Sequence, residues 1–109
     1  MTTIELTRFR VDPAGTAALL AARPAMLADF RADRTGFLSA ELVRLPNDEW
    51  LDIVHWKTPE DFAASRAKGA NRPGIAAFFA AISALVSAEE GESVSVGEGE
   101  AAGGPASGS

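Results

Sequence analysis

Trp50, Asp52, Val54 and Trp56 occupy alternate positions of one strand-like run, so a single face carries two indoles and a carboxylate. A carboxylate on an inward face is costly unless it is paired or used. Asp52 is therefore a candidate general base, its alternative being a structural ion pair with Arg8, Arg23 or Arg72. Trp56, at the strand end, could line an apolar pocket or pack into the core, and Trp50 could form the core or the pocket rim. Thr7 could touch a ligand from a neighbouring strand, and Arg72 could hold one by charge. His55, the sole histidine, falls on the opposite face with Leu51 and Ile53, where an interfacial hydrogen bond suits it better than catalysis.

Composition narrows the chemistry further. At 109 residues there is room for one core and one kind of site. Cysteine is absent, which removes disulfides, thiolate ligands and a thiol nucleophile together. With one imidazole and no carboxylate cluster of suitable spacing, no metal site is expected. A net charge of −5 and scattered Lys and Arg argue against nucleic-acid binding. The beginning, Met1 to Glu5, carries no basic and apolar leader, and no run spans a bilayer, so a cytoplasmic protein is expected.

The elements that must position these residues can be read in order. Ile4 to Val11 alternates as a first strand, with Ile4, Leu6 and Arg8 on one side and Glu5, Thr7, Phe9 and Val11 on the other. Asp12-Pro13 offers a cap and a first helical turn for a helix reaching about Ala32. Its apolar stripe is Leu19, Leu20, Arg23, Met26, Leu27 and Phe30, and Pro24 predicts a kink or break near Ala22. Gly36 ends the connection. Phe37 to Leu45 and Glu49 to Lys57 form a hairpin around Pro46-Asn47-Asp48. Thr58-Pro59-Glu60-Asp61 has the form of a capping box opening a helix that carries Phe62. A helix over Pro73 to Ser87 is expected to be the best buried, and Glu92 to Val96 is expected as the fourth strand. From Gly97 the chain lacks large apolar side chains, so residues 97–109 are expected to be a disordered tail after a domain of residues 1–96.

The order strand, helix, strand, strand, helix, strand predicts an α+β, ferredoxin-like βαββαβ fold: a four-stranded antiparallel sheet with helices on one face. The other face keeps Leu51, Ile53 and His55, and hiding it against a second copy would give a homodimer, a dimeric α+β barrel.

Two segments carry a resemblance. Val54-His55-Trp56-Lys57-Thr58-Pro59-Glu60-Asp61-Phe62 and Gly36-Phe37-Leu38-Ser39-Ala40 are similar to the antibiotic biosynthesis monooxygenase family. The resemblance implies oxygenases that need no metal or flavin, in which a phenolic or polyketide-like substrate anion supplies electrons to oxygen. Trp56 matches the tryptophan of the anthrone oxygenases, whereas Asp52 replaces an asparagine and Phe62 a tyrosine. The resemblance thus implies Asp52 and Trp56 as catalytic residues, with Thr7, Trp50, Phe62 and Arg72 around an apolar or aromatic small molecule. In the haem-degrading relatives, Asn, Trp and His would fall at Thr7, Ser65 and near Ile75, so haem has no axial imidazole here. A non-catalytic, ligand-binding or stress-related dimer stays open beside the oxygenase.

Overall fold

The computed structural model describes residues 1–94. Its elements are β1 (Thr3–Arg10), a 3-10 turn (Pro13–Gly15), α1 (Thr16–Asp33), β2 (Phe37–Arg44), β3 (Glu49–Trp56), α2 (Pro59–Lys68), α3 (Pro73–Ala80) and β4 (Ala84–Glu92). The strands form one open antiparallel sheet in the order β2-β3-β1-β4, the ferredoxin-like arrangement. The helices pack on one face, with α1 against α3.

Local chemistry explains most boundaries. The hairpin between β2 and β3 reverses at Asn47 and Asp48, both at positive φ, which these short polar side chains tolerate better than most. Thr58 accepts a hydrogen bond from the Asp61 backbone N–H at 3.0 Å, and Pro59 supplies the first residue of α2. Gly36 lies at φ 78°, and a Cβ there would overlap the Asp61 carboxylate. The strand face bearing Trp50, Asp52, Val54 and Trp56 is buried under the helices, while Leu51, Ile53 and His55 stay partly exposed on the open face, as the alternation predicts.

Four expectations are corrected. Asp12 makes no side-chain cap, because Pro13 opens the 3-10 turn instead. Pro24 does not break α1, and both it and Leu20, the residue whose carbonyl it leaves without a donor, are exposed. The buried stripe is consequently narrower, comprising Leu19, Arg23, Met26 and Phe30, with Leu20 exposed.

The third and fourth corrections are linked. The last helix stops at Ala80, and Ala84–Glu92 is the fourth strand. Ile82, Leu85 and Val86 fit a helical spacing, but β1 has a second edge to satisfy, and β4 pairs along it from Arg10↔Ala84 to Thr3↔Glu92. The Ser83 N–H donates to the Arg10 carbonyl at 2.9 Å, and the Asp12 N–H donates to Ser83 Oγ at 2.8 Å, which pins the turn. Leu85 and Val86 are exposed on this edge strand, with a register shift opposite Arg8 and Phe9. The expected strand Glu92 to Val96 thus overlaps β4 only at Glu92, and its last two residues lie outside the described ones, as does the expected tail.

Close helix packing depends on one residue. A Cβ on Gly74 would stand 2.5 Å from the Ala25 backbone, and the Gly74 N–H donates to Asp29 of α1 at 2.7 Å. Gly74→Ala is expected to destabilise the domain by about 1–3 kcal/mol through overpacking at α1–α3, measured by urea unfolding.

Candidate functional site

Between sheet and helices the aromatic residues converge on Trp56, which is fully buried. Phe62 stacks on its indole at 6.1 Å between centroids, and Phe30 and Phe37 meet it at 6.1 and 5.8 Å. A buried indole N–H requires an acceptor. It finds one across the sheet: Trp56 Nε1 donates to Glu5 Oε1 at 3.0 Å. The other oxygen, Oε2, receives only a long hydrogen bond of 3.4 Å from Thr7 Oγ1.

Glu5 borders two voids. One, of about 90 Å³, is lined by Glu5, Thr7, Met26, Asp52 and Phe78 among others. The second, of about 100 Å³, lies toward α2 and is lined by Glu5, Phe62, Ser65 and Arg66 among others. Phe30 and Phe79 border both, and Phe79 is 44% exposed. Burial raises the pKa of Glu5 above its ordinary value of 4.5, opposed first by the Trp56 hydrogen bond. The negative charge of Asp52 adds to the rise, while Thr7 and Arg66 lower it.

Asp52 has a different environment. Arg23 of α1 holds it in a bidentate pair, Nη1 to Oδ2 at 2.6 Å and Nη2 to Oδ1 at 2.8 Å, with both side chains about nine-tenths buried. Arg23 also lies over the Phe78 ring at 5.2 Å. Both Asp52 oxygens thus carry charge-assisted hydrogen bonds, whereas Glu5 Oε2 has only the long one from Thr7. Of the three arginines considered for Asp52, the structure selects Arg23; Arg8 pairs with Glu49 instead.

The remaining expected residues separate. Thr7 and Phe62 line the voids and Trp56 anchors Glu5, whereas Trp50 is buried under Arg44 at the far end of the same strand face. Arg72 is not brought to the site. It precedes α3 and reaches Asp33 at 3.4 Å, beside Lys68 and Arg34. That cluster, with Asn71 donating to Asp33, holds the Asp33 carboxyl at about 2, and Arg34 further bonds Ser65, Asn71 and the Gly69 carbonyl. It ties the end of α1 to the α2–α3 connection. His55 lies on the open face, away from both voids.

Glu5 is the functional candidate that residue patterns missed. Its signal was present: an acid sharing the strand side of Thr7, Phe9 and Val11, the side that meets the helices. Only strand pairing revealed its partner, since Trp56 lies 51 residues later in the chain. Among the described residues, no group of three or more His, Asp or Glu side chains could hold a metal ion, and no helix is long and apolar enough to cross a membrane.

A ferredoxin-like domain with a carboxylate set in an aromatic slot between sheet and helices is thus the class of protein defined here. The chain belongs to the antibiotic biosynthesis monooxygenase family, whose model matches residues 2–72. Among solved structures it is similar to SnoaB, a cofactor-independent oxygenase from Streptomyces nogalater, at 25% identity over 83% of this chain and 88% of that one, with a TM-score of 0.58. It is also similar to Rv0793 from Mycobacterium tuberculosis, at 17% identity over 87% and 97% and a TM-score of 0.64. A family protein from Bordetella bronchiseptica aligns at 14% identity over 85% and 97%, with a TM-score of 0.72. No curated protein sequence matches significantly.

Removing one half of the buried pair should be costly. Arg23→Met is expected to lose about 3–5 kcal/mol by stranding Asp52, and Arg23→Met with Asp52→Leu to recover most of it, measured by chemical unfolding of both variants.

Proposed function

We propose that this chain is a cofactor-independent oxygenase of a planar, acidic phenolic or polyketide-like molecule, with Glu5 as general base. The observation that carries this reading is the Glu5 carboxylate: one oxygen is held by Trp56, the other accepts only a long bond from Thr7, the residue borders both voids, and burial makes it a better proton acceptor than an exposed glutamate. SnoaB, similar at 25% identity, supports the reaction class.

In the proposed reaction, Glu5 Oε2 takes a proton from an activated CH₂ of the bound phenol. The resulting carbanion, delocalised over the rings, passes an electron to O₂, and the radical pair joins as a carbon-bound peroxide. Loss of water then leaves a carbonyl, so one oxygen atom stays on carbon while the other departs with the two hydrogens. Trp56, Phe62 and Phe30 supply flat apolar walls that exclude water from the intermediates. Neither void holds a polycyclic substrate alone. Phe79, an exposed side chain, borders both, so in this reading it moves aside to admit the substrate. Asp52 becomes a positioning residue: its pair with Arg23 ties α1 to β3, and its charge helps to keep Glu5 basic.

The test is oxygen uptake with an anthrone and quinol panel, without added metal or flavin. Turnover is expected to rise with pH through the elevated pKa of Glu5, because the base must be ionised. Glu5→Gln should lower kcat by about 10²-fold or more and abolish that limb. Trp56→Phe removes a hydrogen bond that lowers the Glu5 pKa, so its limb should move to higher pH. Uptake equal to buffer across the panel, or a Glu5→Gln profile unchanged from wild type, overturns the assignment. The same burial makes ionised Glu5 a cost to folding, so its effect on stability is favourable at acid pH and is lost as pH rises through the folded pKa.

The functional unit in this reading is a homodimer formed through the open sheet face. Ile4, Leu6, Leu51 and Ile53 are only partly covered there in a single chain, and His55 lies among them as a polar donor. Sedimentation at micromolar concentration should give twice the chain mass, and Ile53→Glu should give the single chain. A wild-type monomer at that concentration rejects the dimer.

A further inference from the structure

Outside the inner slot, a groove of about 680 Å³ lies between α1 and the β2–β3 side of the sheet. That volume is in the range of small-molecule sites. Leu20, Pro24 and Leu27 form its helix wall, and Leu42 and Trp50 form its sheet wall. All its charged side chains are arginines: Arg23, Arg31 and Arg44. Arg23 is neutralised by Asp52, whereas Arg31 and Arg44 have no carboxylate partner among the described residues.

We propose that this groove is a second ligand site, selective for a small planar aromatic molecule bearing a carboxylate. Two facing apolar walls accept a flat ring, and two unpaired guanidiniums at the rim accept its charge. Arg44 lies over the Trp50 ring at 5.1 Å and Arg31 over the Phe37 ring at 5.9 Å. Stacking uses the face of a guanidinium and leaves its N–H edge free for the two oxygens of a carboxylate. Arg31 and Arg44 thus make the groove locally positive even though the whole chain carries −5.

The groove and the inner void beside Asp52 are separated by one ion pair and differ in charge. Arg23 lines the groove and Asp52 lines the inner void. An organic anion meets cations on the groove side and the Glu5 and Asp52 carboxylates on the other.

The experiment titrates the full chain with 2-naphthoate, and with 2-naphthylmethanol as its uncharged twin, following the two tryptophan indole N–H signals by nuclear magnetic resonance. Naphthoate should shift the Trp50 signal, leave that of Trp56 in place, and bind about tenfold more tightly than the alcohol at low salt. Joint replacement by Arg31→Gln and Arg44→Gln should weaken naphthoate about tenfold while the alcohol loses far less, with the fold retained by circular dichroism since both side chains are exposed. Equal affinity for the two probes, naphthoate binding indifferent to the replacements, or a shift at Trp56 in place of Trp50 would each overturn the proposal. Binding that strengthens on dilution would also overturn it, because a second copy would then be the occupant of the groove.

Discussion

The site is organised by a single hydrogen bond that a buried indole cannot do without. Trp56 has no exposed surface, and its N–H would cost on the order of a few kcal/mol if left without an acceptor. The acceptor is a carboxylate, Glu5, which the antiparallel pairing of β1 with β3 sets diagonally across from Trp56, with Thr3 directly opposite it. Trp56 is thereby fixed in one orientation for Phe62 to stack against, and Glu5 is fixed beside the voids. The sheet supplies the two residues, and the helices supply the walls.

Two carboxylates share the helix-facing side of the sheet, and their surroundings divide their tasks. Asp52 is gripped at both oxygens by Arg23 and serves as a charged tie between α1 and β3. Glu5 receives one strong hydrogen bond and one long one, and burial pushes its pKa upward. Acid and base roles commonly arise from this kind of divergence between neighbouring titratable groups. The Arg23–Asp52 pair also stands between the outer groove, which Arg23 lines, and the inner void that Asp52 lines.

Much of the fold was legible because short-range chemistry decides it. Alternation placed Trp50, Asp52, Val54 and Trp56 under the helices, Asn47-Asp48 specified the hairpin reversal, and Thr58-Pro59 opened α2. The segment after Ala80 was misread because Ile82, Leu85 and Val86 satisfy a helical spacing as well as a strand pattern. The unpaired edge of β1 settled the matter, and that edge exists only once the sheet is assembled. Arg72 was misplaced for a related reason: its charge is visible in the sequence, but its partner Asp33 is 39 residues away.

By itself, the sequence determined the order of elements, the faces of β1 and β3 and the set of side chains able to do chemistry, because period and capping are local properties. Which of those side chains meet was decided by tertiary structure alone. Arg23 rather than Arg8 or Arg72 reaches Asp52, and Glu5 rather than Asp52 keeps an oxygen with only a long hydrogen bond. Such choices depend on distances between residues remote along the chain, and these are set only when sheet register and helix packing are fixed together.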